Sequence, residues 1–104
     1  MTRGDFRDFV NEKFGEIIKL LDKKGEEYAN SDDAFHNFVE GVDIATSENK
    51  ECYAWDLRVK HLQSIKDIIR FPKGPHISMI NEKCGDDVLY GLIIWAMLTE
   101  KNKA

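Results

Sequence analysis

The stretch from Val88 to Leu98 contains no charged residue and only one polar side chain, that of Tyr90. It is too short to span a bilayer, which takes about 20 apolar residues. It is also too apolar to face water. It must therefore be covered, either as the buried centre of a helical domain or as the seam between two copies. A chain of 104 residues has little interior of its own, so a homodimer, or a higher homo-oligomer, is the favoured cover.

The rest of the chain reads as helices. Phe6, Val10, Phe14, Ile17 and Leu21 recur at steps of three and four, with charged residues between them, which is the period of an amphipathic helix. Thr2 is placed to cap it and Gly25 to stop it. A polar connector from Glu26 to Asp32 follows. Asp33 is the candidate N-cap of a short second helix with Phe35, Phe38, Val39 and Val42 on one face, ending by Thr46. Ser47 with Glu48 and Glu51 reads as the next start. Cys52, Trp55, Val59, Leu62 and Ile69 form one stripe there, with Leu57, His61, Ile65 and Ile68 beside it. Phe71-Pro72-Lys73-Gly74-Pro75 breaks this helix. Ser78 opens the last one.

These elements predict an all-α, four-helix bundle-like single domain over residues 1–104, with no strand pattern and no internal repeat. Charge narrows the partners. The 19 acids against 15 bases give a net charge of −4, and no basic face emerges, so duplex nucleic acid is a poor partner. Residues 1–52 hold 13 acids and 7 bases while residues 53–104 hold 6 and 8, which favours attraction between the halves. Cys52 and Cys84 fit neither a disulfide framework nor a metal-ligand spacing, and no signal peptide is visible; a soluble protein of the reducing cytoplasm is the expectation.

Chemistry concentrates at a few points. Glu82, Asp86 and Tyr90 lie at steps of four along one face of the last helix. Two carboxylates one turn apart repel unless a cation, a proton or a basic group lies between them, and Mg²⁺ takes such an oxygen pair. The plain alternative is that Glu82 serves the positive end of the helix and Asp86 faces water. Gly85 costs about 1 kcal/mol against alanine inside a helix, which predicts a close approach there by a backbone, a side chain or a ligand. On the third helix Asp56, Lys60, Gln63 and Asp67 make a polar stripe. Lys60 is a candidate phosphate contact or a neutralising partner for Glu82 or Asp86, unless the stripe is simply solvated. His61 is either a ligand contact or an ordinary half-buried histidine. Lys24 and Tyr28 in the long connector offer a phosphate contact and a stacking face; the bland reading is an exposed loop. His36, Asn37 and Glu40 are weak candidates on the second helix. No phosphate loop, nucleophile elbow or zinc signature occurs.

Lys24-x-x-x-Tyr28-Ala29, Phe35-x-Asn37-Phe38, Lys60-His61-Leu62 with Ser64-Ile65, and Glu82-Lys83-x-Gly85-Asp86 followed by Tyr90 together resemble a family of small, mostly phage-encoded, nucleotide-modification-associated proteins. These are similar to the MazG-like all-α nucleotide pyrophosphohydrolases. The resemblance spans roughly residues 14 to 98 and rests on the order and spacing of its pieces. It implies an all-α, often dimeric or tetrameric protein that handles a nucleoside phosphate, with Mg²⁺ on helical carboxylates. Glu82 and Asp86 match the later acidic motif, E-E-x-G-D, in which Lys83 replaces the second glutamate. The earlier E-E-x-x-E motif has no good counterpart, since His36-Asn37-Phe38-Val39-Glu40 stands there.

Three readings follow. In the first, Glu82 and Asp86, with Glu40, hold Mg²⁺ against nucleotide phosphates steadied by Lys60 or Lys24, and water attacks an inner phosphorus to give monophosphate and pyrophosphate. In the second, a phage-type sponge captures a nucleotide-derived signal without cleaving it, through Tyr28, Trp55 or Tyr90 against the base and Lys24, Lys60 and His61 against phosphates, to evade host defence. The missing carboxylates favour this version, because an anion is then less repelled. In the third, the apolar last helix makes the chain a helical protein-interaction module.

Overall fold

The computed structural model describes residues 1–27, 32–71 and 73–103, the side chains of residues 24–27 excepted. The fold is all-α. Its helices are α1 (Arg3–Glu27), α2 (His36–Ala45), α3 (Lys50–Arg70) and α4 (Ile77–Lys103). No strand occurs among the described residues. The chain divides into two compact units, Met1–Ala34 and Phe35–Ala104.

In the first unit, Thr2 Oγ1 accepts the Asp5 N–H at 3.0 Å, and the Thr2 N–H points back to Asp5 Oδ2 at 3.3 Å. This reciprocal cap fixes the start of α1 as expected. Gly25 does not stop the helix, which continues to Glu27; a glycine costs a helix about 1 kcal/mol, too little to end one by itself. On the expected apolar face Ile17 is buried, while Phe6, Phe14 and Leu21 remain about half exposed.

The second unit is built on a hairpin of α3 and α4. Asn49, not Ser47, caps α3: its Oδ1 accepts the Cys52 N–H at 2.8 Å. The helix ends at Arg70, with Phe71 as its C-cap, because Pro72 disfavours helical geometry in the residue ahead of it. A short connector then reverses the chain. At the start of α4 the cap is the His76 ring, whose Nδ1 accepts the Ser78 N–H at 3.1 Å; Ser78 lies inside the helix. Ion-pair partners run in opposite order on the two helices: Arg58 meets Asp87 and, further along α3, His61 meets Asp86. The hairpin is therefore antiparallel.

Helix α2 closes one side of it. Asp33 does not cap this helix, which starts one residue after Phe35 with no side-chain cap. Phe35 is instead the anchor, buried with Ala54 and Met97, and Phe38, Ile93 and Ile94 pack around these three. Gly41 is buried directly beneath the Tyr53 ring, where a Cβ would collide with ring atoms. That contact brings α2 and α3 close. Thr46 ends α2 in the left-handed region, φ 55°, a conformation that costs a β-branched residue free energy.

The burial of Leu89 and Met97 places one side of α4 inside this unit, while Trp95 and Leu98 on the same helix are 70% and 52% exposed. No helix among the described residues is long and apolar enough to cross a membrane. Both cysteines are free thiols, Cys84 exposed and Cys52 half-buried.

Candidate functional site

The seam between α3 and α4 gathers the polar groups that the apolar helix carries. The steps of four along α4 put Asp86 and Tyr90 on one row, and His61 on α3 faces both. Its Nδ1 lies 4.0 Å from Asp86 Oδ2, with the two side chains only 22% and 17% exposed. That separation exceeds a hydrogen bond. The attraction is electrostatic and acts when the imidazole carries a proton. The His61 ring also rests against Tyr90, with centroids 4.8 Å apart and planes tilted by 39°. Tyr90 in turn meets the Phe38 ring edge-on at 5.9 Å, and Phe38 meets Tyr53 at 6.2 Å. The imidazole is thus held between a carboxylate and an aromatic row that continues onto α2, and such support keeps a ring in one plane.

Glu82, one turn before Asp86, is differently placed. Its side chain is 64% exposed and its ion-pair partner is the neighbouring Lys83 at 3.8 Å. The two carboxylates share a row but not an environment. Gly85, between them, has open space where a Cβ would stand, so the expected close approach by a backbone or side chain does not occur.

Two further residues were not singled out from the sequence. Arg58 Nε donates to Asp87 Oδ1 at 2.9 Å, both half-buried, and the guanidinium lies flat over Gly91, 3.4 to 3.6 Å from where a Cβ would sit. Half-buried charges such as these persist when paired. The partners stand 29 positions apart, so no local spacing announces them. The one local signal is Gly91 following Asp87 by four.

The other candidates are dispersed. Lys60 is exposed on the polar face of α3 with Asp56, Gln63 and Asp67, where Gln63 Nε2 donates to Asp67 Oδ1 at 3.0 Å. Asn37 and Glu40 are exposed on α2, and Glu40 Oε1 lies 3.6 Å from His36 Nε2. Trp55 is half exposed on α3. Lys24 belongs to α1, with its side chain outside the described residues, and Tyr28 lies outside them altogether.

Among the described residues no three His, Cys, Asp or Glu side chains form a group able to hold a metal ion. No protein-family model, no curated protein and no solved structure matches this chain.

Proposed function

We propose that this protein binds a nucleoside phosphate on the α3–α4 seam and captures it without cleaving it. The observation that carries this reading is the placement of Asp86 and Tyr90 around His61, three of the positions in which the chain resembles the small phage-encoded, nucleotide-modification-associated proteins. The His61 ring offers a phosphate oxygen a directed N–H. Asp86 flanks the imidazole on one side, and the Tyr90 ring limits its rotation. Tyr90 and the exposed Trp55 supply faces for a base. Glu82 would be the residue to hold a hydrated Mg²⁺, which would supply charge neutralisation.

Capture is favoured over hydrolysis because the carboxylates do not act together. Glu82 pairs with Lys83, and Asp86 is opposed by His61. Phosphoryl transfer is accelerated almost wholly by positioning and concentrated charge, and this divided arrangement supplies little of either. In the phage setting that the resemblance implies, such a protein acts in the cytoplasm as a sponge for a nucleotide-derived signal. The reading includes a MazG-like arrangement of the helices and self-association, with α4 contributing to the seam.

The test is calorimetric titration with nucleoside mono-, di- and triphosphates and cyclic dinucleotides, with and without Mg²⁺, followed by chromatography of the recovered ligand. At least one should bind and return intact, and His61→Ala and Asp86→Asn should each weaken it about tenfold or more, close to 1.4 kcal/mol. Absence of heat across the panel contradicts binding. Recovery of monophosphate and pyrophosphate contradicts capture.

A further inference from the structure

The three histidines of the chain sit in opposite electrostatic settings. His36 and His61 each face a carboxylate, Glu40 at 3.6 Å and Asp86 at 4.0 Å, so a proton on either ring meets an opposite charge. His76 is different. Its ring is exposed where the chain turns from α3 into α4, and among the described residues it forms no ion pair. It acts instead as an acceptor. Nδ1 takes the Ser78 N–H at 3.1 Å and lies 2.9 Å from Ser78 Oγ, while the His76 carbonyl takes the N–H groups of Met79 and Ile80 at 3.0 and 3.2 Å. The acids on the elements around it are engaged elsewhere: Asp67 near the end of α3 accepts from Gln63, and Glu82 on α4 pairs with Lys83. Arg70 and Lys73, on either side of the helix break, carry the same sign as a protonated ring.

We infer that the start of α4 is a proton-operated switch between two caps, His76 and Ser78. Neutral His76, with Nδ1 unprotonated, holds the first state, in which the helix begins at Ile77. A proton on Nδ1 ends that state for two reasons. The nitrogen turns from acceptor to donor, so the Ser78 N–H loses its partner, and the new charge stands at the positive end of the helix. The donor has a place to go. Ser78 Oγ, already 2.9 Å away, accepts the Nδ1–H and keeps a lone pair for the N–H of Ile80 or Asn81, which is the bond an N-cap serine makes. The helix then starts two residues later, and the His76 carbonyl gives up Met79 and Ile80. Ile77 is 61% exposed, so its release costs little burial. Histidine side chains exchange this proton between pH 5 and 8, while carboxylates keep their charge through most of that range. The switch sets the length of α4 ahead of Glu82 and does not depend on nucleotide binding.

Triple-resonance NMR of the labelled protein, titrated from pH 8 to pH 5, tests the switch residue by residue. At pH 8 the imidazole nitrogen spectrum should place the His76 proton on Nε2. As the His76 ring titrates, the Cα shifts of Ile77 and Ser78 should leave the helical range, the ratio of the first state to the second falling about fivefold. Those from Asn81 to Tyr90 should stay helical. His76→Asn, which caps without titrating, should keep Ile77 helical at both ends of the range. Ser78→Ala, which removes the second cap, should carry the acid loss past Asn81. A His76 proton on Nδ1 at pH 8, or an Ile77 that stays helical while the ring titrates, overturns the switch; both are read on the unmodified protein, whatever the variants do. An acid loss undiminished in His76→Asn also overturns it, by assigning the loss to another group. An acid loss that stops at the same residue in Ser78→Ala overturns Ser78 as the second cap.

Discussion

Gly41 and Gly85 look equivalent in the sequence, each a glycine within a helical pattern, yet they behave oppositely. A methyl group at Gly41 would meet the Tyr53 ring, whereas one at Gly85 meets nothing within 4 Å. Gly41→Ala should therefore destabilise by about 1–3 kcal/mol through overpacking, and Gly85→Ala should stabilise by up to about 1 kcal/mol through helix propensity. Paired thermal melts by circular dichroism check both signs. Glu51 gives a pH prediction. A hydrogen bond from its own backbone N–H, then Lys50 and Lys101, holds its carboxyl below the ordinary value of 4.5, against the opposing effect of burial. The folded state thus favours the charged form. Its contribution is present above pH 4.5 and is lost as pH falls below that value and through the lower folded pKa. Between pH 6 and pH 3, the unmodified protein should lose more stability than Glu51→Gln, as read by urea midpoints.

At the scale of the helices, existence was legible and termini were less so. The apolar periods of Phe6 to Leu21 and of Cys52 to Ile69 announced α1 and α3, and Thr2 was readable as a cap because the N–H it accepts, that of Asp5, is local. Ser47 and Asn49 are both good caps by type, and the sequence contains nothing that decides between them. The structure chooses Asn49, whose carbonyl oxygen reaches the Cys52 N–H. Asn49→Ala should cost about 1 kcal/mol, while Ser47→Ala should lie within about 0.5 kcal/mol of the unmodified protein, since Asn49 and not Ser47 is the cap; chemical denaturation separates them. At the other end of α2, Thr46→Gly should raise the melting temperature, since glycine adopts a left-handed C-terminal conformation without the strain on a β-branched residue. The caps at Phe35 and His76 escaped sequence reading for a physical reason. Phe35 is fixed by burial in the core rather than by a hydrogen bond, and an imidazole acts as an acceptor only in the tautomer that leaves its Nδ1 unprotonated.

At the scale of the molecule, the half of the site that lies on one helix was visible and the half that spans two was not. Glu82, Asp86 and Tyr90 follow from the α4 repeat. His61 was a candidate without a partner until the hairpin set it opposite Asp86, and the Arg58–Asp87 pair depends wholly on that antiparallel register. The same register separates Lys60 from its neighbour His61, since adjacent helical positions point about 100° apart. The account's central claim is that a nucleotide phosphate meets His61 where Asp86 and Tyr90 hold it. Two-dimensional amide NMR of the labelled protein, titrated with the tightest-binding nucleotide of the panel, tests it most directly. The account predicts that the largest shifts fall on α3 around His61 and on α4 between Glu82 and Tyr90, and that they vanish in His61→Ala. Saturable shifts confined to α1, or to the Trp95 end of α4, would contradict it.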